Sequence, residues 1–131
     1  IYVSAIGGEQ MRHLKIMEAK ELFVDALKHW GLDYTVIRPN GFFSDMIDFL
    51  KMARKGRVLL FGDGDFKMNP IHGADLAKLV VDSIEMDEQE IEVGGPDILS
   101  QKEIAELALK AWKRPVKISS IPDWVRRMVL K

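Results

Sequence analysis

An extended segment that ends at an Arg-Pro break places the strongest constraint on how this chain folds. Residues 34–37, Tyr-Thr-Val-Ile, are aromatic or β-branched in an unbroken run, which is typical of a strand covered on both faces. Gly31 suits the end of a preceding helix, because glycine enters the left-handed region without steric cost. Pro39 cannot donate to a sheet ladder, so the strand ends near it. Ligands of open α/β sheets bind beyond the carboxyl ends of strands, and we therefore expect a ligand near residues 39–43.

The composition is that of one globular domain. The chain has 131 residues, of which 47% are hydrophobic and 30% charged, enough for one core but not for two ordinary domains. A net charge of −1 gives no broad attraction for nucleic acid or for an anionic membrane. The lack of cysteine excludes disulfides and thiolate chemistry and is compatible with a cytoplasmic protein. No apolar run approaches the roughly 20 residues that cross a bilayer, so we expect neither nucleic-acid nor membrane partners.

Helical and strand patterns alternate along the chain. Helices are predicted over residues 9–30, 42–54, 73–86 and 100–112, with an amphipathic helix from Pro122 onward. Strands are predicted over residues 1–5, 34–38, 58–61, 66–69, 91–93 and 116–118. Ser100 and Glu103 have the spacing of a capping box, and Asp75 is expected to hold the first amides of its helix. This alternation indicates an α/β domain with a largely parallel sheet.

Several segments carry a resemblance to a known family. They are Tyr2–Ser4, Glu18–Lys20, Tyr34–Phe43 and Asn69–Ala77, with a weaker fifth segment at Gly94–Pro96. In this order they resemble the C-terminal portion of an atypical short-chain dehydrogenase/reductase, of the NmrA-like or NAD-dependent-epimerase-like kind. The resemblance implies a partial Rossmann-like fold over residues 1–85, followed by a small C-terminal substrate lobe over 86–131.

The resemblance also implies that the Gly-rich half of the dinucleotide site is missing. Gly7-Gly8 and Gly62-Asp-Gly64 lack the strand-loop-helix spacing that places a pyrophosphate on a helix N-terminus. The chain lacks an initiator Met and starts in an apolar strand, so we expect it to be a piece of a longer protein. The resemblance implies that the full-length protein binds NAD or NADP, and that the isolated chain does not bind either with useful affinity.

The catalytic tyrosine of the family has no counterpart here. Members that transfer hydride use a Tyr four residues before a Lys, in which the Lys lowers the pKa of the Tyr and binds the nicotinamide ribose. An alignment on Lys20 places Ile16 at the Tyr position, and an alignment on Lys15 places Met11 there; neither can move a proton. His13 is either a substitute acid, seven residues before Lys20 on one helix, or a solvated helix residue.

Ser4 and Lys20 are the catalytic and cofactor-binding candidates that the resemblance retains. Ser4 matches the family serine that hydrogen-bonds a substrate carbonyl or hydroxyl, and its alternative is a strand-end serine that caps the Gly7-Gly8 turn. Lys20 is either the ribose-binding lysine or a surface lysine paired with an acid on its own helix.

Pro39, Asn40, Gly41 and Phe42 match the family loop whose backbone lies against the nicotinamide, and they are the remaining cofactor-binding candidates. The alternative is a turn selected for its geometry, with Phe42 and Phe43 in the core. We favour the core for the two phenylalanines and cofactor contact for Pro39 and Gly41.

Asn69 and His72 fall where relatives form the junction that faces the substrate cleft, and they are candidates for substrate binding. A histidine that is hydrogen-bonded to the backbone at this junction is the favoured alternative. His13, His29 and His72 are scattered without ligand spacing, so no metal site is predicted.

Two functions remain open. The first is an NAD(P)-dependent oxidoreductase or epimerase-like enzyme that acts on an unidentified small molecule. The second is a non-catalytic dinucleotide sensor or scaffold, which Ile16 favours. A third interpretation is a folded lobe without activity of its own. Because the first strand would be an exposed sheet edge, we predict that the fragment forms a homo-oligomer through that edge.

Overall fold

The structure, a computed structural model, describes residues 1–122. Its helices are α1 (Lys15–His29), α2 (Ile47–Arg54), α3 (Gly73–Asp82) and α4 (Gln101–Ala111). Its strands are β1 (Tyr2–Val3), β2 (Val36–Pro39), β3 (Val58–Phe61), β4 (Lys67–Met68), β5 (Glu90–Val93), β6 (Leu99–Ser100) and β7 (Ile118–Ile121). The predicted α/β class is confirmed. The helix predicted from Pro122 lies outside the described residues beyond its first position.

The chain divides into two compact units that interleave in sequence. Unit 1 comprises residues 1–42 and 70–95, and unit 2 comprises residues 43–69 with the described chain from residue 96. This division differs from the consecutive one expected after residue 85. The physical reason is that β5 hydrogen-bonds along β2, which keeps residues 90–93 with the N-terminal sheet.

Unit 1 is a parallel sheet with helices on both faces. Its strand order is β1-β2-β5, and both pairings are parallel. Ile37 is fully buried with Ile71 and with Leu76 of α3, whereas its neighbour Arg38 reaches Glu21 of α1. Because successive strand side chains point to opposite faces, α1 and α3 cover opposite faces of the sheet. This layering is the expected Rossmann-like arrangement, and it confirms the buried strand predicted before Pro39.

Unit 2 packs two helices around a small core. The parallel pair β3–β7 and the antiparallel pair β4–β6 are its only strand pairings within the described residues. Its core consists of Ala53, Val58, Leu60, Ala105, Ala108 and Leu109. The strand predicted over 66–69 is shorter, and it pairs with residues 99–100. The strand predicted over 116–118 begins only at Ile118 and pairs with β3.

The ends of the helices differ from the sequence pattern. The helix predicted over 73–86 ends at Asp82 and continues as a 3₁₀ turn over Ser83–Glu85. Leu14 is extended, with φ −94° and ψ 122°, so α1 begins at Lys15 and only a 3₁₀ turn covers Glu9–Met11. The helix predicted from residue 42 begins as a 3₁₀ turn at Phe43, while Phe42 packs in unit 1. Gly31 follows α1 with φ +65°, as predicted for a C-cap.

The capping box at the start of α4 gives a stability prediction. The Glu103 backbone N–H donates to Ser100 Oγ at 3.2 Å, and the Ser100 N–H donates to Glu103 Oε2 at 2.7 Å. We expect Ser100→Ala to lower the free energy of unfolding by about 1 kcal/mol, because a helix amide loses its acceptor. Urea denaturation measures the change. Ser120→Ala, at an exposed serine of β7, is the matched control; an equal loss there would contradict the assignment.

Candidate functional site

The carboxyl ends of three parallel strands meet at one edge of unit 1. The ladder continues past the strands: the Ile6 N–H donates to Pro39 O at 3.2 Å, and the Asn40 N–H donates to Val93 O at 2.9 Å. Three loops, over residues 4–8, 40–42 and 94–95, therefore start side by side. In open α/β sheets this is the edge at which ligands bind.

A buried ion pair lies directly beneath the first of these loops. Arg38 donates two hydrogen bonds to Glu21, from Nη1 to Oε1 at 2.7 Å and from Nη2 to Oε2 at 2.9 Å. The side chains are 5% and 0% exposed. Ser4 Oγ donates a third hydrogen bond to Glu21 Oε1 at 2.7 Å. The pair thus ties α1, β2 and the end of β1 together.

The ion pair extends into a chain of charges. Arg38 Nε donates to Glu90 Oε2 at 3.0 Å, and Lys28 Nζ lies 2.7 Å from Glu90 Oε1. The hydrogen bond from Arg38 lowers the pKa of Glu21 to about 2, against burial, which would raise it. The same hydrogen bond raises the pKa of Arg38, so both groups are charged at neutral pH. The hydrogen bond from Lys28 lowers the pKa of Glu90.

Gly8 allows the first loop to lie against this ion pair. A Cβ atom added to Gly8 would overlap Glu21 Oε1 and stand 3.1 Å from Arg38 Nη1. The same arginine Nη1 also donates to Ala5 O at 3.4 Å. The loop after β1 is therefore fixed by backbone and side-chain contacts to one buried pair. Sequence analysis missed the pair, although an arginine within a buried apolar strand was its signal.

The hydrogen-bond partners of Ser4 and Lys20 differ from those that their structural alternatives expected. Ser4 is 5% exposed, and its hydroxyl donates to Glu21 rather than to the Gly7-Gly8 turn. Lys20 Nζ donates to Val3 O at 3.2 Å and lies 5.6 Å from the centre of the Tyr2 ring, rather than pairing with an acid on its helix. Their roles toward a ligand stay predictions.

The loop after β2 is partly open. Pro39 is buried, while Asn40, Gly41 and Phe42 are partly exposed. Gly41 has φ +88°, and no atom lies within 4 Å of the position that its Cβ would take. Phe42 packs against the core of unit 1 as expected, but Phe43 is 48% exposed and does not belong to the core.

The residues proposed for a substrate, Asn69 and His72, belong to different compact units. His72 is the N-cap of α3, where its Nδ1 accepts from the Ala74 N–H at 3.2 Å. This is the hydrogen bond to the backbone that the favoured alternative predicted. It is His72, and not Asp75, that caps this helix. Asn69 belongs to unit 2 and is half-buried.

The structure also locates Ile16 and His13, the residues considered in connection with the missing tyrosine. Ile16 is 67% exposed on α1. His13 precedes the first residue of α1, so the helical offset of seven that would relate it to Lys20 does not exist. No group of three or more potential metal ligands lies within residues 1–122.

Comparisons with known proteins agree on the fold. No protein-family model matches the chain. It is 25% identical over 130 residues to the mitochondrial NADH dehydrogenase [ubiquinone] 1 alpha subcomplex subunit 9 of Arabidopsis thaliana. This match covers 90% of the chain and 32% of that relative. It is 26% identical over 127 residues to the chloroplastic divinyl chlorophyllide a 8-vinyl-reductase of Zea mays, a match that covers 92% of this chain and 32% of that relative. The chain spans about a third of the length of these relatives.

Solved structures share this architecture. UDP-glucose 4-epimerase of Thermus thermophilus, in complex with NAD, superposes with a TM-score of 0.66 at 17% identity, covering 81% of this chain and 40% of that one. GDP-mannoheptose C4 reductase of Campylobacter jejuni, with NADP bound, superposes with a TM-score of 0.58 at 14% identity. The match covers 87% of this chain and 50% of that one. The resemblance to epimerases and reductases with a Rossmann-like fold is confirmed. Within residues 1–122, no helix is both long and apolar enough to cross a bilayer.

The depressed pKa of Glu21 predicts the response of the protein to acid. A carboxylate whose folded pKa lies near 2, below its unfolded value of 4.5, stabilises the fold above about pH 4.5 and loses that contribution as the pH falls toward 2. The contribution is about 3 kcal/mol when the pair is intact. Urea denaturation between pH 2 and 7 measures it.

Two variants test this assignment. Glu21→Gln should flatten the acid limb and lower the stability at pH 7 by about 3–5 kcal/mol, because Arg38 stays buried and loses its buried carboxylate partner. Glu90→Gln removes a carboxylate that is 40% exposed and should cost less. A wild-type acid limb in Glu21→Gln would refute the role of Glu21.

Gly8 gives a steric prediction. We expect Gly8→Ala to lower the free energy of unfolding by about 1–3 kcal/mol, since the new methyl group would displace a buried carboxylate from its hydrogen bonds with Arg38 and Ser4. Gly73→Ala is the matched control, because no atom lies within 4 Å of its Cβ position. Equal stability of the two variants would contradict the close approach.

Proposed function

We propose that this chain supplies the nicotinamide-facing portion of an NAD(P)-dependent oxidoreductase or sugar-nucleotide-epimerase-like enzyme of the atypical short-chain dehydrogenase/reductase type. The observation that carries this proposal is the edge of unit 1, where three parallel strands end and three loops begin side by side. The fold shared with an epimerase complexed with NAD and a reductase with NADP bound supports it. The cofactor, NAD or NADP, would be bound by the full-length protein.

The loop after β2 fits a flat ring. At Gly41 the space that a side chain would fill holds no other described atom, so this position of the loop is open to a planar group. A bound nicotinamide would accept or return a hydride. The chain contributes position: the Glu21–Arg38 pair holds the loop at residues 4–8, and the buried Ser4 hydroxyl donates to Glu21 beneath that loop. In this proposal Lys20 binds the ribose, and Asn69 and His72 contact the substrate in the complete protein.

A second candidate function is a dinucleotide sensor without catalysis. Its specific support is Ile16, which stands at the family tyrosine position in the alignment on Lys20, cannot transfer a proton, and is 67% exposed. His13 lies outside α1 and does not replace that tyrosine from the same helix. In this alternative the ligand edge binds NAD or NADP and changes the affinity for a protein partner.

The location and assembly are part of the proposal. We place the protein in the cytoplasm, with an unidentified small molecule as substrate and with no nucleic-acid or membrane partner. We also propose that the isolated chain self-associates, with the free edge of β1 as one contact. β1 is the outer strand of the described sheet, and such edges pair with further strands.

Dinucleotide binding tests the proposal. A polypeptide that carries this chain behind a Gly-rich first half is titrated calorimetrically with NAD and NADP and then mixed with a panel of carbonyl substrates. Binding with hydride transfer supports the enzyme, whereas binding without turnover supports the sensor. Absence of binding refutes both. The isolated 131-residue chain is the negative control.

Gly41 gives the matched variants. We expect Gly41→Val to raise the dissociation constant for the dinucleotide about tenfold or more, because a side chain fills the space open to the ring. Gly56→Val is the control: Gly56 has φ +86° and an equally open Cβ position in unit 2, so it carries the same backbone strain. Equal affinity in both variants would remove the loop after β2 from the site.

A further inference from the structure

A cavity lies at the amino edge of the unit 1 sheet, opposite the edge at which the three loops begin. Its volume is about 670 Å³, within the range of roughly 300–1,000 Å³ that is typical of small-molecule sites. Its walls include the residues that precede β2 and β5 and part of the 3₁₀ turn over Ser83–Glu85. Every lining residue belongs to unit 1, so this unit alone forms the cavity.

Thr35 is a buried polar residue that lines this cavity without a hydrogen-bond partner. It is 7% exposed, and its hydroxyl makes no hydrogen bond within residues 1–122. Because Thr35 precedes Ile37 by two residues, its side chain points to the same face of the sheet, which α3 covers. No described side-chain atom is both fully buried and unpartnered, so the hydroxyl keeps contact with the space of the cavity. Buried hydroxyls are normally hydrogen-bonded, and this one therefore indicates a position for a ligand atom.

Acidic and apolar residues line the same cavity. The exposed acidic residues are Asp33, Asp87 and Glu88. None of the three forms an ion pair within the described part of the chain. Ile84 and Met86, which are 71% and 40% exposed, add apolar surface. The cavity therefore combines three free carboxylates with apolar surface and one buried hydroxyl.

The arrangement of the acids favours an organic cation over a metal ion. A metal ion needs ligands that converge on one point, and no group of three or more potential metal ligands lies within residues 1–122. Separated carboxylates suit a ligand whose positive groups are also separated. Methylene groups between those positive groups would cover Ile84 and Met86, because apolar surface gains from leaving water. An anionic ligand would instead be repelled by the three carboxylates.

We propose that this cavity binds a small aliphatic polyamine. Its ammonium groups pair with Asp33, Asp87 and Glu88, and one of its N–H groups donates to Thr35 Oγ1. Each exposed ion pair contributes little by itself, so the affinity comes from several pairs acting together with the buried hydrogen bond. The site lies at the other end of the strands from the proposed cofactor site, and the proposal does not depend on dinucleotide binding.

Spermidine, which carries three amines, is the probe for this site. Calorimetric titration of the 131-residue chain at pH 7 should show saturable binding to one site. In spectra of the ¹⁵N-labelled chain, spermidine should shift the amide resonances of residues 33–35 and 83–89, and not those of residues 39–42. An equal titration with Mg²⁺ should give no comparable binding at these residues.

Two double variants separate the site from the overall charge. Asp87→Asn with Glu88→Gln should raise the dissociation constant for spermidine about fivefold or more, because two ion pairs are lost. Asp97→Asn with Glu92→Gln is the matched control, since it removes the same two charges at exposed residues outside the cavity. The control should bind spermidine as the wild type does.

Thr35→Val tests the buried hydroxyl. Valine keeps the shape of threonine without the hydroxyl, so spermidine should bind about three- to tenfold more weakly. The free energy of unfolding should not fall, because the hydroxyl has no partner within the described fold. Urea denaturation measures this second quantity and shows that the variant is folded.

Each contrary result overturns a stated part of the proposal. Absence of saturable spermidine binding would refute the site. Equal weakening in the control double variant would assign the binding to net charge, and Mg²⁺ binding as tight as that of spermidine would overturn the polyamine. Unchanged affinity in Thr35→Val would remove the cavity as the location. Dinucleotide binding is measured separately, so none of these results bears on the proposed cofactor site.

Discussion

The ion pair between Glu21 and Arg38 is the interaction on which the rest of unit 1 depends. Two charges are removed from water, and each is compensated by bidentate hydrogen bonds, a serine hydroxyl or a second carboxylate. Such a pair contributes little net stability relative to an apolar pair, but loss of one partner is costly. Its effect is therefore to fix geometry: it allows one register between α1 and β2, and it defines the position of the loop at residues 4–8.

This constraint explains why a ligand edge and a buried charge network occur together. A loop that contacts a cofactor must keep its backbone within a fraction of an ångström, and apolar packing alone permits sliding. Hydrogen bonds from Arg38 to Glu21 and to the Ala5 carbonyl have directions as well as distances. Gly8 completes the arrangement, because any larger residue would separate the loop from the pair.

The sequence predicted those features that depend on neighbouring residues. The strand before Pro39, the C-cap at Gly31 and the capping box at Ser100 each follow from a few adjacent side chains. The start of α1 could not be predicted, since nothing in the 9–30 pattern marks the extended Leu14. The pairing of β4 with β6 joins residues more than 30 positions apart, where periodicity carries no information. The two compact units interleave in sequence for a related reason, because β5 returns to β2 from a distance.

In the candidate site, too, the sequence indicates which residue types are important, but only the fold shows which partners they contact. Sequence resemblance selected Ser4 and Lys20, but only the fold reveals that Ser4 donates its proton inward and that Lys20 covers an edge carbonyl. The sequence shows Arg38 as a charge within an apolar strand. Its partner, however, lies 17 residues earlier on a helix whose pattern does not distinguish Glu21 from Glu18. A buried charge in a strand demands a counter-charge, but only packing selects which one. Here that selection also decides which face of α1 packs on the sheet.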